Sequence, residues 1–248
     1  MTSRALEGVF RSLRLYHGAG APRAKMDALY ERFVSAGDLV FDIGAHVGDR
    51  VSSFRRLGAR VVAVEPQPLA MRALRLIHGQ DDDVTLIQAA VASQRGQLTF
   101  RINTANPTVS TASDSFVAGA DGASGWEGQV WDDEIVVATT TVDELIARAG
   151  CPRFIKIDVE GFEDDVLAGL SVPVRALSFE FTTIAMEIAL RAVERLATLG
   201  PYNFDVAMGE SHHLGFGRAL EADEMTRFLK ALPHSANSGD VYAWLAED

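Results

Sequence analysis

LVFDIGAHVGDRVSSFRRLGARVVAVE, residues 39–65, holds a complete strand–turn–helix–strand unit. Leu39, Val40 and Phe41 form a short apolar run that leads into Asp42-Ile43-Gly44. Val51, Phe54 and Leu57 then recur at helical spacing until Gly58 stops them. Arg60–Val64 (RVVAV) is a second β-branched run, closed by Glu65-Pro66. Continuous apolar runs alternating with amphipathic helices fit a parallel sheet covered on both faces.

Outward from this unit the pattern repeats. A helix through Leu69, Leu74 and Ile77 reaches Gly79, and Val84–Ile87 is the next strand. An insertion over about residues 90–153 interrupts the alternation, with strands expected at Leu98–Ile102 and Glu134–Thr141 and a helix over Val142–Ala149. Strands then follow at Phe154–Ile157, Ala176–Phe181, Phe204–Met208 and Val241–Leu245. The helices between them cover about Phe162–Leu170, Ile184–Leu199 and Glu221–Leu232. Seven core strands with no internal linker predict one α/β domain over residues 37–248. It has a seven-stranded, mostly parallel sheet, helices on both faces and an inserted β-rich flap.

The flanks and the composition narrow the function. The chain has 248 residues, 23 basic and 34 acidic, with a net charge of −11. That balance argues against nucleic-acid partners and anionic membranes, which need clustered Lys and Arg. The lone Cys151 excludes an internal disulfide and a cysteine zinc site. No apolar run approaches a membrane span of about 20 residues, so a soluble cytoplasmic protein is expected. Residues 1–36 read as a helical segment, with Leu6, Phe10 and Leu13 at helical spacing. Either it packs on the domain edge or it serves as a lid or partner arm, a homodimer contact among the options. Residues 114–134 carry six acidic side chains and no basic one. They predict either an acidic mobile cover over an acceptor site or an edge elaboration, with Trp126 and Trp131 needing something to dock on.

In open parallel sheets ligands bind at the carboxyl ends of strands, near the topological switch point. There the first unit offers Asp42, the turn Gly44-Ala45-His46-Val47-Gly48, and Glu65 at the second strand end. A dinucleotide fingerprint needs G-x-G-x-x-G, and His46 and Asp49 occupy its second and third glycine positions. This disfavours an NAD-dependent oxidoreductase, the rival enzyme class. Asp42 would repel a phosphate but suits an ammonium or sulfonium ligand, and Glu65 suits a ribose diol. Together they point to S-adenosylmethionine.

FDIGAHVGD, VVAVEPQP and FIKIDVEGFEDDVLAGL, in that order, resemble the FkbM-type S-adenosylmethionine-dependent methyltransferases. The resemblance covers roughly residues 38–181, and the K-I-D-x-E-G-x-E block at 156–163 is its most specific part. It implies a Rossmann-like class I methyltransferase fold and O-methylation of a sugar or secondary-metabolite hydroxyl. A methyltransferase-like module that binds cofactor without catalysis is the non-enzymatic alternative. The Gly44–Gly48 turn, with Ala45 and His46, would lie under the methionine moiety, and Asp42 near its amino group. Glu65 would hold the ribose, Pro66 and Gln67 would flank the adenine, and Gln88 and Ala89 would line its pocket. Asp158 would face the transferred methyl.

A hydroxyl acceptor must lose a proton, so a general base is expected. Asp158 and Glu160 lead, with His46 a further candidate. Pure cofactor contact for Asp158 and a helix cap for Glu160 are the bland alternatives. Lys156 is read equally as a buried ion-pair partner of these acids. Asp158 with Glu180 would suit a magnesium- or calcium-like cation, although no metal is favoured. His212-His213 sit in a loop after the sixth strand.

Overall fold

Branched and aromatic runs form the strands, and the helices between them are set by capping and apolar spacing. The computed structural model describes residues 3–19 and 23–246. Two helices, α1 (Ser3–His17) and α2 (Arg23–Tyr30), precede β1 (Leu39–Ile43), α3 (Asp49–Arg56), β2 (Arg60–Val64), α4 (Pro68–His78) and β3 (Val84–Ile87). The insertion holds β4 (Ala90–Val91), β5 (Gly96–Ile102), α5 (Asp114–Ala120), β6 (Asp133–Thr140) and α6 (Val142–Ala149). The rest is β7 (Phe154–Ile157), α7 (Glu163–Ala168), β8 (Ala176–Thr182), α8 (Met186–Leu199), β9 (Tyr202–Met208), α9 (Ala222–Ala231) and β10 (Ser238–Leu245).

The main sheet has seven strands in the order β3-β2-β1-β7-β8-β10-β9. Its pairs are parallel except those of β10, which runs antiparallel to both β8 and β9. Side chains alternate across the strands. Phe41, Ile43, Ile155, Ile157, Leu177 and Phe179 pack under α6–α9. On the other face Val40, Val61, Ala63, Phe154 and Tyr242 pack under α2, α3 and α4. The chain departs from one sheet edge after β1–β3 and returns beside β1 as β7. The carboxyl ends of β1 and β7 therefore flank the switch point.

Several expectations change at the boundaries. The flap is a separate three-stranded sheet, β4-β6-β5, and β4 was not legible as a strand. Residues 114–134 pack as a docked elaboration and do not line the cavity. Ser113 caps α5 by accepting from the Phe116 N–H, and Trp126 and Trp131 meet the Phe116 ring edge-on at 5.2 and 6.1 Å. The Trp131 indole N–H also donates to Val109 O at 2.9 Å. This aromatic cluster docks the segment because exposing both indoles to water would cost more than ordering the loop. In α1 the buried positions are Gly8, Val9 and Ser12. Phe10 stays 62% exposed, whereas Leu13 packs with Val9 against Val47 and Ala73. The helix after β8 starts at Met186 rather than Ile184, behind a 3-10 turn at Thr183–Ala185. Among the described residues no helix is long and apolar enough to cross a membrane.

Candidate active site

The turn after β1 is built on a contact with β7. Gly44 has φ 84°, and a Cβ there would lie 1.8 Å from the Asp158 carbonyl oxygen. Only glycine lets the two strand ends touch. The Gly44 and Ala45 N–H groups donate to Val64 O at 2.9 and 3.1 Å, which ties the turn to the end of β2. Glu65 stands at that end and closes the turn from outside. Its Oε2 accepts from the His46 N–H at 2.9 Å and its Oε1 from the Gln67 N–H at 2.7 Å. Burial pushes the Glu65 carboxyl up to about 7, against the pull of those two N–H groups. Burial, and then the charge of Asp49, also pushes Asp42 up to about 7. Asp42 is 1% exposed, and its Oδ2 has no hydrogen-bond partner among the described residues.

Three residues of the 156–163 block shape the turn after β7. Gly161, at φ 85°, lies against Phe116 of α5, which a Cβ would meet at 2.6 Å. Glu163 Oε1 accepts from the Val159 and Gly161 N–H groups, each at 3.2 Å, and so folds the turn. Glu160 takes a left-handed φ of 56°, and its carbonyl accepts from the Thr111 hydroxyl of the flap at 2.6 Å. Glu160 does not cap the helix: Phe162 holds that position. The turn brings its carboxyl to Asp158 and to Glu180 of β8, where one oxygen from each lies within 4.8 Å of the others.

Three half-buried carboxyls at this spacing disfavour full charge on all of them. Burial pushes Asp158 up, but the Lys156 ammonium, then Arg50, outweigh it and hold its carboxyl below the usual range. Burial raises Glu160 well above the carboxylate range, and Asp158 and Glu163 add to it. Glu180 is raised by burial and then by Glu160 and Asp158. The negative charge of the cluster is therefore favoured on Asp158, with Glu160 and Glu180 displaced toward their protonated forms. Its three oxygens could hold a hard cation, but the Lys156 Nζ already neutralises Asp158 at 3.2 Å.

Asp42, Glu65 and the carboxyl cluster open into one cavity of about 110 Å³. Gly44, Ala45, His46, Pro66, Gln67 and Ala89 also line it. Gly48 packs under α4 against Leu74 and His78 instead. Gln88 is exposed and accepts from Arg75 at 3.2 Å, outside the cavity; the strand end turns its side chain outward. His212 sits 3.3 Å from Glu210, and neither it nor His213 lines the cavity. The acidic residues of 114–134 do not line it either; Thr108, Ser110 and Ala112 of the preceding stretch do.

Tyr16, Arg50, Phe162 and Glu210 also line the cavity and were not singled out from the sequence. Arg50 did carry a signal: a cation in the first turn of a helix opposes the dipole unless something else holds it. Asp49 and Glu210 hold it, the latter at 3.1 Å. Tyr16 comes from α1 and meets the His46 ring edge-on at 6.1 Å. Burial pushes the His46 imidazole down to about 4, so it is neutral at pH 7.

These residues fit S-adenosylmethionine. The unpartnered Asp42 oxygen offers an acceptor to an ammonium, and each Glu65 oxygen keeps a lone pair for a ribose hydroxyl. Pro66, Ala89, Val91 and Phe100 make an apolar wall for a base.

A family model described as the methyltransferase FkbM domain matches residues 42–232, well over half of the chain. No curated protein matches it in sequence. Among solved structures, a precorrin-6y C5,15-methyltransferase from Geobacter metallireducens is 13% identical, covering 90% of this chain and 86% of its own, with a TM-score of 0.49. A TehB-like SAM-dependent methyltransferase from Corynebacterium glutamicum is 10% identical, with coverages of 96% and 94% and a TM-score of 0.48. A SAM-dependent O-methyltransferase from Thermotoga maritima is 10% identical, with coverages of 92% and 67% and a TM-score of 0.43.

Proposed function

Because the chain belongs to the FkbM methyltransferase family, and is an S-adenosylmethionine-dependent methyltransferase of the Rossmann-like class I fold, we propose that it methylates a hydroxyl of a small molecule. A sugar or secondary metabolite is the acceptor class. The carboxyl cluster carries this reading: it opens into the same cavity as Asp42 and Glu65 and holds groups able to take a hydroxyl proton.

When bound, S-adenosylmethionine supplies the methyl group on a positively charged sulfonium. Glu65 receives the ribose hydroxyls, Asp42 the amino group, and the turn from Gly44 carries the methionine chain. Pro66, Gln67 and Ala89 border the adenine. Asp158 stays charged and faces the methyl end, while α1 and the flap exclude water, which would compete with the acceptor. Glu160 is the general base. A carboxyl raised by burial is a stronger base than an ordinary one once its proton has left, and an incoming cation favours that loss. His46, with its imidazole held near 4, is the weaker candidate.

Glu65→Ala abolishes cofactor binding in calorimetric titration; an unchanged dissociation constant would sink the ribose assignment. Glu160→Gln and Asp158→Asn keep cofactor binding and slow turnover by about 10²–10⁴-fold. Labelled cofactor and mass spectrometry over a panel of hydroxylated acceptors measure this. Activity survives exhaustive chelation, and its loss would move the cluster's role from proton transfer to cation binding.

A further inference from the structure

Lys156 has no part in the chemistry above, and its place is unusual. It sits on the sheet face otherwise filled by Phe154, Tyr30 and Tyr242, and its side chain is fully buried. An ammonium in such a setting is costly unless paired, and for stability alone an apolar side chain often serves as well as a buried ion pair. Its Nζ donates to Asp240 Oδ1 of β10 at 2.7 Å and to Asp158 Oδ2 at 3.2 Å. Of these two acids only Asp158 lines the cavity. One ammonium is thus divided between a carboxylate inside the active site and one outside it.

We propose that Lys156 is a positioning residue that keeps the Asp158 carboxylate charged and aimed into the cavity, with Asp240 as the counterweight that limits its hold. The inference rests on the methyltransferase reading, in which Asp158 faces the sulfonium. Removing the ammonium leaves two half-buried carboxyls facing each other with less compensation, which favours a proton on Asp158. Removing the Asp240 charge gives the whole ammonium to Asp158 and relieves a repulsion. The two changes therefore move Asp158 in opposite directions. A purely structural ion pair would give the same shifts but would leave the ligand preference of the cavity unchanged.

Other groups also act on this pair. Asp158 faces Arg50 from α3, Glu180 from β8 and Glu160 and Glu163 from the turn. Asp42 of β1, Glu65, His46 and Tyr16 face it from the remaining walls. Lys156 also faces Tyr30 of α2 and Tyr242 of β10. All of these stay in place in both variants.

The test is a carboxyl-carbon NMR titration of the full chain with ¹³C-labelled aspartate, the Asp158 resonance being identified by its loss in Asp158→Asn. In Lys156→Met its midpoint rises by about 1–3 pH units; in Asp240→Asn it falls. No shift, or shifts in the same direction, overturns the proposal. If Lys156→Met does not fold, the direction in Asp240→Asn decides. Calorimetry over the same pH range compares S-adenosylmethionine with S-adenosylhomocysteine, which lacks the sulfonium charge. The preference for the charged ligand fades at the Asp158 midpoint of each variant, and a preference indifferent to that midpoint overturns the link to the site. A wild-type chain that binds neither ligand would instead sink the methyltransferase reading, with the NMR shifts still interpretable.

Discussion

Burial raises Glu65 and Asp42 toward neutrality, so a cationic ligand favours their charged forms. Both carboxyls sit near 7 in the folded chain because they are buried, well above their unfolded values of roughly 4. Raised acids contribute stability that is fully present below the unfolded pKa and is lost as pH rises through the folded one. The cofactor-free chain is therefore expected to lose these contributions between about pH 4 and pH 7, while affinity for S-adenosylmethionine rises over the same range. Thermal melts and calorimetric titrations at stepped pH check the two trends. Asp158 has the opposite sign, since its lowered pKa contributes stability that is lost only as pH falls through the folded value. Gly44→Ala is expected to unfold the site or cost several kcal/mol, because the added methyl meets the Asp158 backbone and the φ is left-handed. A chemical-denaturation midpoint close to wild type would show that the β1 and β7 ends can part. Asp42, Gly44, Glu65 and Asp158 were legible because they follow apolar runs. Tyr16, Arg50 and Glu210 were not, because none stands at the end of a strand that carries the motif.

Helix α1 lies outside the family match yet roofs the cavity. It bridges flap and core: the Arg11 guanidinium donates to Ala105 O at 2.9 Å, and the His17 ring lies 2.9 Å from Val47 O. One turn before Arg11, Gly8 sits so close to the flap that a Cβ would meet Thr104 O at 2.6 Å. Tyr16 of α1 lines the cavity of about 110 Å³, which places this helix beside a path by which a ligand would enter. Gly8→Val, which prises α1 from the flap, is expected to speed cofactor dissociation several-fold at a stability cost of about 1–3 kcal/mol. Stopped-flow displacement measures the rate, and an unchanged rate would remove α1 from the entry path. The flap itself holds the Glu160–Gly161 turn through Thr111 and Phe116. Sequence patterning found its long strands but not this role, because a docked loop and a mobile one share the same small, polar composition. Two tryptophans were the only sign of docking.

At the scale of the molecule, the net charge of −11 is distributed unevenly around the site. The acidic residues of 114–134 lie outside the cavity, whereas Asp42, Asp49, Glu65, Asp158, Glu160, Glu180 and Glu210 line it with Arg50 as the one Lys or Arg among the lining residues. Neutral or cationic acceptors are thus expected to be methylated well ahead of phosphorylated ones in a mixed panel; preference for a polyanion would count against this. The order of strands and helices, the turn after β1 and the acids at strand ends were all readable in the chain, because period, glycine placement and terminal carboxylates are local properties. Local patterning did not reveal that Glu160 would turn beside Glu180, that α1 would supply Tyr16, or that Lys156 would be divided between Asp158 and Asp240. Those contacts join residues up to 84 positions apart or elements on different layers. They exist because sheet order brings β7, β8 and β10 side by side and packing removes water from among their charges.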